Sequence, residues 1–123
     1  MKKDSKFSSW PNFSRQEAEA VKEVILSNKV NYWTGTKCIE FEKEFAEFSQ
    51  TKYAVALANG TVAIDLALHA LGVRKGDEVI VTSRSFIASV SSIINAGAKP
   101  VFADICKNSQ NITTSNVAKL ISK

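Results

Sequence analysis

Three short stretches of this 123-residue chain hold residue types and spacings that can do chemistry. The first is Val55-Ala56-Leu57-Ala58-Asn59-Gly60-Thr61, an apolar run broken by a glycine turn and followed at once by a helical pattern. The opening amides of a helix have no partners inside it, and the helix dipole adds positive charge there. Such an end accepts a phosphate or another anion. Gly60 lets the backbone come close to a ligand, and the Thr61 hydroxyl adds a donor. The same residues suit a tight turn with a capping threonine equally well. They form neither a Gly-x-Gly-x-x-Gly fingerprint nor a Walker-type loop.

The second stretch is Ser83-Arg84-Ser85-Phe86, after an expected strand. Open α/β sheets bind ligands beyond the carboxyl ends of their strands. Phe86 there can stack on a flat ring; taken alone, it reads more readily as a core residue. The third is Tyr32-Trp33-Thr34-Gly35, an aromatic connection between two helices. Asp65 and His69, spaced i, i+4, can share one helix face, and a structural histidine is the favoured reading. Asp104 suits a turn cap. Cys38 and Cys106 form no CxxC pair, and His69 is the only histidine, so no ordinary zinc or other metal site is expected.

The elements that must position these residues follow from periodicity. Residues 1–13 are expected to form an extended arm, and residues 14–123 a single α/β domain. Ser14-Arg15-Gln16-Glu17 is a capping box that opens a helix running to about Ser27. Cys38, Phe41, Phe45 and Phe48 fall at helical spacing, which core packing explains fully. Residues 53–57 read as a strand covered on both faces. Residues 61–71 form a helix that is apolar nearly all round, hence expected to be buried, and Gly72 ends it. Residues 78–82 form a second strand, Ser85 caps a buried helix over residues 86–95, Gly97 stops it, and residues 100–103 form a third strand. Residues 115–121 form a weaker amphipathic segment. Strand, helix, strand, helix, strand predicts a mainly parallel sheet with helices on both faces.

Composition narrows the function. Net charge is +4, with +2 in residues 1–6, +3 in residues 107–123 and −1 between them. The basic excess sits at the ends, which argues against nucleic-acid binding. No apolar run approaches membrane length, and no hydrophobic stretch follows the first lysines. Two free thiols then suit a reducing cytoplasm.

Together the motifs are more specific than any one of them. Asn59-Gly60-Thr61-Val62-Ala63, Leu66-Ala67-Leu68, Gly76-Asp77-Glu78-Val79-Ile80-Val81, Ser85-Phe86-Ile87-Ala88-Ser89 and Gly97-Ala98-Lys99-Pro100-Val101-Phe102-Ala103-Asp104 resemble the DegT/DnrJ/EryC1/StrS family in order and spacing. Tyr32-Trp33-Thr34-Gly35, with Phe41-Glu42 and Phe45-Ala46, resembles that family's opening. The resemblance implies the N-terminal part of the large domain of an aspartate-aminotransferase-like (fold type I) enzyme dependent on pyridoxal 5'-phosphate. By that resemblance Gly60 and Thr61 hold the cofactor phosphate and Phe86 stacks on its ring. Trp33 and Thr34 lie near the sugar nucleotide or a partner subunit. The family forms dimers and moves an amino group from glutamate to a keto-sugar nucleotide, work that belongs to amino-sugar and surface polysaccharide biosynthesis.

Two departures are visible: Thr82 where the family often has proline, and Cys106 where it often has aspartate. The family's catalytic lysine and small domain fall beyond Lys123, so no catalytic residue is assigned here and the chain alone is expected to be inactive. Two other readings stay open: part of a related sugar dehydratase using the same cofactor, and a non-catalytic α/β module that binds a phosphorylated ligand.

Overall fold

The computed structural model describes residues 10–122, so part of the expected N-terminal arm lies outside the described residues. The chain divides into two compact units, the first ending at Ala56 and the second starting at Leu57.

The first unit is helical. Helix α1, Arg15–Leu26, begins at the capping box expected of it. The Glu17 amide donates to Ser14 Oγ at 3.2 Å, and the Ser14 amide donates to Glu17 Oε2 at 2.6 Å. Two of the amides that a helix start leaves unpaired are thereby satisfied. The chain leaves α1 through Asn28, whose φ of 57° is left-handed. Asparagine tolerates that region better than most residues. A tight turn follows, and α2 spans Lys37–Phe48.

The turn into α2 depends on Gly35. Its amide donates to the Asn31 carbonyl at 2.8 Å. A Cβ at this position would lie 2.2 Å from the Lys29 carbonyl oxygen, so no larger residue fits without moving backbone.

Helix α2 corrects one expectation. Cys38, Phe41, Phe45 and Phe48 share a face as their spacing requires, but that face is exposed, Phe48 at 84%. The rings run along the helix with centroids 5.6 and 6.3 Å apart. The covered positions lie on the next face round, where Glu42 is half-buried and Ala46 is the buried residue, beside a cleft shared with Thr51 and Tyr53. Periodicity identified an apolar stripe correctly; it could not say whether another layer covers it.

Residues 53–57 correct a second expectation. They form no paired strand, and Tyr53 and Val55 are exposed. A parallel strand exists only through a neighbouring strand's hydrogen bonds. Here the Ala56 amide instead donates to the Glu42 carboxylate at 2.8 Å.

The second unit is α/β. It contains α3 (Gly60–Ala70), β1 (Glu78–Thr82), α4 (Ala88–Asn95), β2 (Lys99–Ala103) and a short α5 (Thr114–Ala118). Strands β1 and β2 are parallel, in a register that runs from Glu78↔Lys99 to Thr82↔Ala103. Two strands rather than three therefore pair among the described residues. Helix α4 connects them, as a parallel pair demands, and it packs against both strands and against α3. Ala88, Ser92 and Ile93 of α4, with Ala98 and Ala103, form the buried centre. Gly97, at φ 80°, turns the chain from α4 into β2. Across the strand starts, Lys99 pairs with Glu78 at 2.8 Å.

Two further expectations change. Helix α3 has no fully buried residue. Thr61, Ile64, Asp65 and Leu68 form a half-buried stripe, while Val62 and Leu66 are exposed. One neighbouring helix cannot cover a cylinder that is apolar all round. Helix α4 starts at Ala88 rather than residue 86, and Ser85 does not cap it. The Ser85 hydroxyl lies 2.7 Å from that of Ser89 instead.

After β2, Ile105 and Ile112 form an isolated antiparallel bridge. Asp104 Oδ1 accepts from the amide of the next residue, Ile105, at 2.8 Å, which caps no turn. Thr113 caps α5 through the Asn116 amide at 3.3 Å.

Candidate functional site

The start of α3 is built by Asn59. Its side chain accepts from the Val62 amide at 3.0 Å, and its carbonyl accepts from the Ala63 amide at 3.1 Å. That accounts for two donors of the first turn. The amides of Gly60 and Thr61 have no partner among the described residues, and neither does the Thr61 hydroxyl. A Cβ built on Gly60 would meet nothing within 4 Å, so the backbone is open on that side. Two unclaimed amides, one hydroxyl and the positive end of a helix dipole converge on solvent. A helix start of this kind can accept an oxyanion.

Phe86 belongs to the same unit, four residues beyond the end of β1. It is 74% exposed and stands outside α4. Its ring is therefore free to cover a planar group, and the core reading of this residue is not what the structure contains. Nearby in sequence, the Arg84 guanidinium donates to Gln110 Oε1 and its amide donates to Thr82 Oγ1 at 3.2 Å, so this loop is tied to its surroundings. The pair Asp65 and His69 makes no mutual hydrogen bond among the described residues; both border a cleft between α3 and α4.

Trp33 and Thr34 sit in the first unit. Asn31 organises them: its Oδ1 accepts from the Trp33 amide, the Thr34 amide and the Thr34 hydroxyl at 3.0, 3.0 and 3.1 Å. This is an asparagine turn with one acceptor taking three donors. Trp33 is 92% exposed. Thr34 lines a cleft of about 500 Å³ together with Glu23, Ser27, Lys29, Thr36 and Lys37. The Tyr32 ring meets Trp33 edge-on, with centroids 6.4 Å apart. Sequence alone did not mark Asn31; an asparagine two and three residues ahead of Trp33 and Thr34 is the signal that points to such a turn.

Cys106 follows β2 in a hydrogen-bonded loop. The Ser109 amide and hydroxyl, then the Asn108 amide, hold its thiol below the ordinary value. No group of three or more histidine, cysteine, aspartate or glutamate side chains is placed to bind a metal among the described residues. No helix among them is long and apolar enough to cross a membrane.

The second unit combines a parallel βαβ arrangement with a helix start that has two unclaimed amides and an exposed aromatic after its first strand, features shared with ligand-binding α/β domains. The family model for DegT/DnrJ/EryC1/StrS aminotransferases matches residues 11–123. The chain belongs to that family, and it has the fold of the N-terminal part of a fold type I enzyme. It is 41% identical over 113 residues to GDP-perosamine synthase of Vibrio cholerae, a match covering 92% of this chain and 30% of that protein. It is 55% identical to a crystallographic aminotransferase from Psychrobacter cryohalolentis, with TM-score 0.90 over 94% of this chain and 29% of that one. A Streptococcus pneumoniae relative solved in its PLP form is 32% identical, with TM-score 0.78 over 91% of this chain and 28% of that one. The chain thus spans about 30% of the length of these relatives.

Proposed function

We propose that this chain is the N-terminal portion of a pyridoxal-phosphate-dependent sugar-nucleotide aminotransferase, and that it contributes the phosphate and ring contacts of the cofactor. The amides of Gly60 and Thr61 and the Thr61 hydroxyl hold the phosphate. Phe86 lies against the pyridine ring. Bound there, the cofactor supplies the electron sink needed to move an amino group. This part of the chain supplies orientation and charge complementarity, and residues 14–123 belong to a cofactor-binding large domain.

The observation that carries this reading is the pair of unclaimed amides at the start of α3. The family relation and the PLP form of a solved relative supply the identity of the anion. The family resemblance implies a keto-sugar nucleotide as amino acceptor and glutamate as donor, and a relative named GDP-perosamine synthase supports a sugar-nucleotide substrate. Trp33 and Thr34 form part of the sugar-nucleotide side; support comes from the exposure of Trp33 and from the cleft beside Thr34. The working enzyme is a homodimer in the cytoplasm. No lysine of this chain stands in the family's catalytic setting, so the chain by itself turns over no substrate.

Titration with pyridoxal phosphate, followed by calorimetry and by absorbance, tests the reading. Wild-type chain binds it, Thr61→Ala weakens binding several-fold, and Phe86→Ala removes the absorbance change that accompanies stacking. Binding that is absent, or indifferent to both substitutions, refutes the assignment. A borohydride-trapped adduct with transaminase activity in this chain alone would refute the inactivity claim.

A further inference from the structure

Helices α3 and α4 pack on one another, and a cleft of about 390 Å³ opens between them, lined by Asp65, His69, Val73, Ser92, Asn95 and Ala96. Ser92 is 0% exposed at the centre of the unit, yet its Oγ has no hydrogen-bond partner among the described residues. It does not take the usual escape of a helical serine, a bond back to its own helix's carbonyls. Asp65 Oδ1, on the facing helix, is also buried and unpartnered.

Buried polar atoms are almost always paired, because an unmade bond leaves the cost of stripping water uncompensated. Two such atoms bordering one cleft therefore point to a shared partner. A carboxylate oxygen can only accept, whereas a hydroxyl can donate and accept. A water molecule satisfies both at once. The cleft exceeds the roughly 30 Å³ that a water occupies in the liquid, and Asp65, Ser92, His69 and Asn95 supply the 2–4 polar neighbours that an enclosed water takes.

We propose that the α3–α4 cleft is a solvent-binding site in which an ordered water bridges Asp65 and Ser92, making this pair a positioning contact for α3. Asp65 stands five residues after Gly60 on the same helix. A slip of α3 on α4 would carry the Gly60 and Thr61 amides with it. This last step rests on the phosphate reading; the bridge itself does not.

The thermal stabilities of Ser92→Ala, Asp65→Asn and the double variant separate the possibilities. Both changes are near-isosteric, so the fold survives them. A bridge requires Ser92→Ala to lower Tm by several degrees, and the double variant to lose less than the sum of the single losses. An orphan hydroxyl predicts the opposite sign, because alanine would then relieve a cost; a rise in Tm, or strictly additive losses, overturns the bridge. Sodium or potassium chloride that stabilises wild type more than choline chloride, with the difference lost in Asp65→Asn, overturns it in favour of a cation. Inorganic phosphate titration judges the positioning role. Ser92→Ala should bind several-fold more weakly than wild type; equal binding overturns that role. A wild-type chain that binds no phosphate instead overturns the phosphate reading and with it the positioning step, and the thermal comparison still decides the bridge.

Discussion

The phenol of Tyr32 donates to Glu42 Oε2 at 3.1 Å, tying the aromatic turn to the middle of α2. The other oxygen of the same carboxylate accepts the Ala56 amide. Hydrogen bonding to Glu42, then the nearby negative charge, raises the Tyr32 hydroxyl above its ordinary value of 10.0. A group whose value is raised by folding contributes stability at pH below its unfolded value and loses it as pH climbs through the folded one. The contribution of Tyr32 should therefore be intact at neutral pH and vanish above about pH 10. Phenolate absorbance followed from neutral to alkaline pH should show a late-titrating tyrosine that Glu42→Gln shifts downward.

Glu78 behaves in the reverse sense. Its bond to Lys99, then that to Ser122, holds its carboxyl below the ordinary 4.5. Its contribution is present above the unfolded value and is lost as pH falls through the lower folded one. Wild type should thus lose more stability than Glu78→Gln on acidification below about pH 4.5. Denaturant unfolding at neutral and acidic pH measures the difference, which should be small because the pair is solvent-exposed.

Ser14→Ala removes the acceptor for the Glu17 amide. Loss of such a cap costs about 1 kcal/mol. Amide exchange in the first turn of α1 should accelerate while α4 stays protected.

Gly35→Ala forces a methyl group onto the Lys29 carbonyl. The contact is with backbone, which cannot swing aside, so the turn must open at a cost of roughly 1–3 kcal/mol. Loss of the edge contact between Tyr32 and Trp33 should appear as a change in tryptophan fluorescence, without loss of the α/β unit.

Ile93→Ala strikes the other unit. Ile93 is 2% exposed, and truncation of such a residue costs about 2–5 kcal/mol. A unit with so few buried side chains should unfold, and phosphate binding should disappear together with the near-ultraviolet dichroism.

The parts of this fold that were legible in sequence are the local ones. Ser14 and Glu17 announce a helix start because both bonds lie within four residues. Residues 78–82 were placed to the residue because turn residues and a helix frame an apolar run. Residues 53–57 carry the same signal, yet a strand is a property of two segments, and this one meets the Glu42 carboxylate instead. The Phe41–Phe45–Phe48 stripe and the all-round apolar α3 fail for a related reason: spacing tells which residues share a face, and burial depends on what is stacked against it. For the candidate site, Gly60 and Thr61 at a helix start and Phe86 after a strand were legible as positions because a helix end and a strand end are backbone features. The three donors gathered by Asn31, and the unpaired atoms of Asp65 and Ser92, arise from side chains meeting in space, which no spacing rule encodes.

Asn59 has one more effect. By spending its own side chain on Val62, it leaves the helix with a pair of open donors where an uncapped terminus would present three. A small free oxyanion should consequently be held loosely and exchange quickly. Tight retention would have to come from contacts to the rest of a larger ligand, with a bare inorganic ion still bound but weakly.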